Sequence, residues 1–166
     1  MANTGNNENS YVEIGEKIKA TLKGEAQNNA LEFVAFLRAN DMPIQSNKDG
    51  QGWAVGGVVG NSSGYMLVNG AAQLPGPWTV WFNSCEFPCG ETANDELKEA
   101  AWSHASFCGR CHSNWESCGG GERTIFGKEF SRLCHSPLMF CDPDATTLEN
   151  MKKLMLMLDS PRKPNE

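Results

Sequence analysis

The sequence predicts an α+β fold: N-terminal helices packed on a small antiparallel β-meander, followed by a Cys-rich zinc-binding subdomain and a C-terminal helix. Three observations predict it. Apolar residues recur at helical spacing near both ends of the chain. Between residues 50 and 82 that period gives way to short runs rich in Val, Tyr and Trp, punctuated by Gly, Asn and Ser. Beyond them, Cys108, Cys111, Cys118 and Cys134 fall within 27 residues.

The elements follow in order. Residues 1–10 are polar and Asn-rich and read as a disordered tail. Ser10-Tyr-Val-Glu13 has the form of a capping box. Tyr11, Ile14, Ile18 and Leu22 then form a helical stripe that Gly24 is placed to end. A second helix is predicted over residues 27–40, with Leu31, Val34 and Leu37 on one side, Phe33 widening that face, and Asp41-Met42-Pro43 as the stop. Three strands are predicted, Trp53–Val59, Tyr65–Val68 and Trp78–Phe82, with Asn61-Ser-Ser-Gly64 turning between the first two. In the third, Trp78, Val80 and Phe82 share one face and Thr79 and Trp81 the other.

Residues 94–105 read as a helix with Leu97, Ala100, Ala101 and His104 on one stripe. A short strand is predicted over Arg123–Phe126. The last helix opens at a second capping-box candidate, Thr146-Thr-Leu-Glu149, and carries Leu148, Met151, Met155 and Leu158 as its stripe. Residues 11–158 form one domain, divided near Glu91 into a helix–sheet part (11–90) and a Cys-rich zinc-binding part (91–158), and residues 159–166 form a second disordered tail.

Size and charge bound the function. A chain of 166 residues with 40 % hydrophobic content can bury a real core without help from cross-links. A net charge of −6 repels phosphate backbones, which argues against nucleic-acid binding. The cysteine region supplies no local exception, with four basic residues between Cys108 and Cys134 against three acidic ones. The start of the chain has no basic segment followed by an apolar one, and no run is long enough to span a membrane. The expected compartment is the cytoplasm, where thiols stay reduced. Seven cysteines cannot all pair with one another, so metal, catalysis or burial takes precedence over disulfides.

The cysteines carry the chemistry. Cys108-Gly-Arg-Cys111 is a CxxC pair, in which a tight turn aims two sulfurs at one point. Cys118 follows after six residues and Cys134 after fifteen more, so a four-thiolate structural Zn²⁺ site is expected at Cys108, Cys111, Cys118 and Cys134. Free cysteines are often simply buried, but four so close together are hard to assign to burial alone. Cys85, Cys89, Cys141, His112 and His135 are reserve ligands, and His104 on an apolar stripe reads as a core histidine.

Competing readings are weaker. Cys108–His112 matches the haem-attachment string CxxCH, yet that chemistry belongs with export and leaves Cys118 and Cys134 without a role. A thioredoxin-like dithiol needs its CxxC to open a helix after a strand, and here a helix precedes the pair. Gly121 to Lys128 fails as a phosphate loop, since five residues separate its glycines and Glu129 stands where Ser or Thr would bind Mg²⁺. Residues 56–60 hold no GxGxxG fingerprint.

A closed four-thiol shell argues against catalysis at the metal. The expectation is a zinc-binding interaction module acting on a protein or small-molecule ligand, with no catalytic residue assigned. The alternative is a thiol-redox or metal-dependent enzyme using the CxxC region. If Trp53, Tyr65 and Trp78 shared one exposed face they could line a ligand pocket; otherwise they fill the core.

Overall fold

The stripe Tyr11, Ile14, Ile18 and Leu22 is buried along its whole length, as its spacing requires. In the computed structural model, which describes residues 4–47, 52–57, 61–68, 76–87, 93–107 and 120–159, Tyr11, Ile14 and Ile18 lie on helix α1, Thr4–Thr21, and Leu22 follows its end, its amide donating to the Ile18 carbonyl at 2.8 Å. The helix therefore begins six residues before Ser10, so Ser10 is no cap and residues 4–9 are no tail. Tertiary partners explain the extension. Asn7 Oδ1 accepts a hydrogen bond from the Ile44 amide at 2.9 Å, and Glu8 meets Arg38 at 2.6 Å. Polar residues that lack a local reason to order are held by neighbours from later in the chain.

Helix α2, Gly24–Ala39, begins at Gly24 itself, which takes a φ of 59°. The Gln27 side-chain Nε2 donates to the carbonyls of Lys19 and Leu22, capping the end of α1. Asp41, at φ 53°, turns the chain into β1, Ile44–Ser46, a short strand that propensity did not mark. β2 (Gly52–Val55), β3 (Gly64–Val68) and β4 (Trp78–Phe82) follow as an antiparallel meander. Of the first predicted strand, Trp53–Val59, the pairing stops at Val55, where Gly56 swings to φ 75°; Val58 and Val59 lie outside the described residues.

α3, Asp95–Ser103, is capped by Asn94, whose side chain accepts from the Leu97 amide at 2.9 Å. β5 (Ala105–Phe107), β6 (Gly121–Ile125) and β7 (Lys128–Cys141) continue the sheet, and α4, Ala145–Asp159, closes the chain. Asp144, not Thr146, caps α4: its carboxylate accepts from the Thr147 amide at 2.8 Å.

Among the described residues the result is an α+β fold with a seven-stranded antiparallel sheet in the order β1-β2-β3-β4-β7-β5, and β6 paired with β7. It is larger than the predicted meander because β7, fourteen residues long, joins it. Four pairs from Thr79↔Cys141 to Phe82↔Leu138 zip β7 to β4, so one sheet runs through both halves of the sequence. The Trp78 indole N–H donates to Asp142 Oδ1 at 3.1 Å and locks this seam at its end.

The helices cover one face. Phe33 of α2 packs on Trp78, Met155 of α4 reaches Gly64, and the His104 ring stacks on Phe140 at 4.5 Å. The other face carries Tyr65, Leu67, Trp81 and Met139, all half-buried. Gly52 sits among them by necessity: a Cβ there would meet Tyr65 Cε1 at 2.6 Å and Leu67 Cδ2 at 2.9 Å.

Candidate metal centre

A two-residue turn builds the hairpin that carries this region. Ile125 pairs with Lys128, and Phe126 and Gly127 between them take φ of 46° and 80°. Two successive positive φ values are the mark of a type I′ turn, whose twist matches that of the flanking strands. The glycine pattern set aside as a phosphate loop is therefore a hairpin, and Lys128 is engaged with Trp102, its Nζ 4.8 Å from the ring centroid.

β7 changes partners along its length. Leu138 pairs with Phe82 of β4 and Ala105 of β5, so those strands lie on opposite edges. Leu133 pairs with Phe107 of β5 and Gly121 of β6. β4 and β6 therefore lie end to end along the same edge of β7. Between the two β5 pairs, β5 advances two residues while β7 advances five. Cys134, His135, Ser136 and Pro137 occupy this bulge, and Pro137 has no amide hydrogen for a ladder to use.

Of the four expected ligands, only Cys134 lies among the described residues; Cys108, Cys111 and Cys118 lie outside them, as do Cys89 and His112. Cys134 follows the buried Leu133 and is half-buried. Chain connectivity adds the rest. Phe107 immediately precedes Cys108, and Gly121 closely follows Cys118. Both pair with Leu133, from either side. Phe107 and Gly121, the described residues that flank this part of the sequence, thus lie on the rung next to Cys134.

The reserve ligands separate. Cys141 is seven residues from Cys134 on one strand, roughly 20 Å away, and zinc–sulfur bonds of about 2.3 Å cannot span that distance. His104 caps α3 and is half-buried, at the edge of the core rather than within it; its Nδ1–H donates to the Ala100 carbonyl at 2.8 Å, and its ring lies on Phe140. His135 is exposed beside Cys134. Cys85 is buried just past β4, and its thiol donates to the Thr124 carbonyl at 3.9 Å. Burial pushes this thiol's pKa up, against the opposing pull of the Arg123 charge. A cavity of about 420 Å³, lined by Cys85, Glu86 and residues 120–124, lies between the two segments. Its position depends on β4 and β6 sharing an edge, which no spacing in the sequence encodes. Among the described residues, no three His, Cys, Asp or Glu side chains gather as a metal-binding group.

The aromatic pocket does not form. Trp53 and Trp78 are wholly buried on the helix-covered face, while Tyr65 stands on the other. No helix among the described residues is long and apolar enough to cross a membrane. No protein-family model, curated protein or solved structure matches the chain.

Proposed function

We propose that this protein is a zinc-binding module in which Cys108, Cys111, Cys118 and Cys134 hold one structural Zn²⁺, and that it acts in the cytoplasm by binding a protein or small-molecule partner. One observation carries the reading: Phe107 and Gly121 both pair with Leu133, the residue before Cys134. Two strand spacings separate those anchors by about 10 Å. A twelve-residue segment spans that gap with ample slack. Flanking residues held this close to Cys134 lower the entropic cost of gathering the other three thiols with it.

Four thiolates close the coordination sphere and leave no position for water or substrate, so the metal's work is to hold β5 and β6 to β7. Both strands pair irregularly with β7. β5 has three residues and a slipped register, and β6 has five with an irregularity of its own. The acidic balance disfavours a nucleic-acid partner.

Native mass spectrometry of protein purified without added metal tests the reading. One zinc per chain, lost together with stability in Cys108→Ser, is the expected result. An apo mass with cysteine pairs that a reductant opens would overturn it in favour of a thiol-redox protein.

A further inference from the structure

We draw no further inference here: the strongest candidate, the half-buried apolar face of the sheet around Tyr65, Leu67, Trp81 and Met139 on the side away from the helices, carries nothing because nothing in the structure shows what covers it.

Discussion

The Phe126 ring stacks on Phe87 with 4.5 Å between centroids and 11° between planes, while the Phe126 backbone holds a φ of 46°. The two facts belong together. A left-handed conformation costs a non-glycine residue about 1–2 kcal/mol, and a stacked aromatic pair returns about 0.5–1.5 kcal/mol beyond its burial. The stack offsets the turn. Phe126→Ala should lower stability by about 2 kcal/mol in urea unfolding, since it keeps the strained backbone and loses the ring. Phe126→Asn, which tolerates the left-handed region, should cost less. An equal loss in both variants would show that the backbone conformation contributes nothing.

Gly127→Ala isolates the other half of the turn. A Cβ at Gly127 meets nothing within 4 Å, so any penalty comes from its φ of 80°. Unfolding should show a loss of about 1 kcal/mol with an unchanged denaturant slope.

Gly52→Ala should destabilise for the opposite reason, crowding without backbone strain. The new methyl would collide with the Tyr65 ring and Leu67, and overpacking of this kind costs about 1–3 kcal/mol. In a Tyr65→Ser background part of that loss should disappear, because one of the two obstacles is gone. A double-mutant cycle reads the coupling, and strict additivity would contradict the packing account.

The metal reading separates two cysteines on one strand. Cys134→Ser should lose bound zinc and lower Tm, whereas Cys141→Ser, some seven residues along β7, should keep its zinc and lose under about 1 kcal/mol. Zinc content by elemental analysis, measured beside thermal melts, decides it. Zinc loss in Cys141→Ser would place the site elsewhere on the strand.

Chelation should act on one end of the sheet first. β5 and β6 find their main neighbour in β7, and β6 also meets α3, while β3 and β4 lie mid-sheet against the helix layer. Hydrogen exchange after zinc removal should speed up in β5 and the start of β6 before it does in β3 and β4. Uniform acceleration throughout would mean that the metal holds the whole fold cooperatively.

Asp144 sets a pH dependence. Hydrogen bonds from Thr147, its backbone amide first, hold the carboxyl below the ordinary aspartate range. A folded pKa lowered in this way stabilises fully above the unfolded value, and the benefit disappears as pH falls through the folded one. Asp144→Asn keeps an acceptor for the cap and should remove this group's share of the acid-range slope. Asp144→Ala should remove that slope and also lower Tm at neutral pH. Melts across the acid range check both; a slope unchanged in Asp144→Asn would assign the dependence to other groups.

The α+β class, the four helices, the two central meander strands near their observed bounds and the burial of Trp53 and Trp78 were legible in the sequence. Helical stripes and strand alternation report on local backbone geometry, which neighbouring residues decide among themselves. The CxxC spacing belongs to that local kind as well. β7 was hidden because its burial follows its partners. Lys128–Leu133 answers to β6 and Leu138–Cys141 to β4, with a bulge at Pro137 between them, so no single alternation runs its length. The Phe126-Gly127 turn was hidden because Phe stands where such turns usually carry Asn or Asp.

By itself, then, the sequence determined which segments are helical, which residues seek a core, and that four thiols lie close along the chain. The tertiary structure alone decided that β5 and β6 meet on Leu133, that Cys141 stands far from Cys134, and that Asn7 and Glu8 belong to a helix. Each of these is a contact between residues distant in sequence, and its free energy exists only once both partners have been brought together.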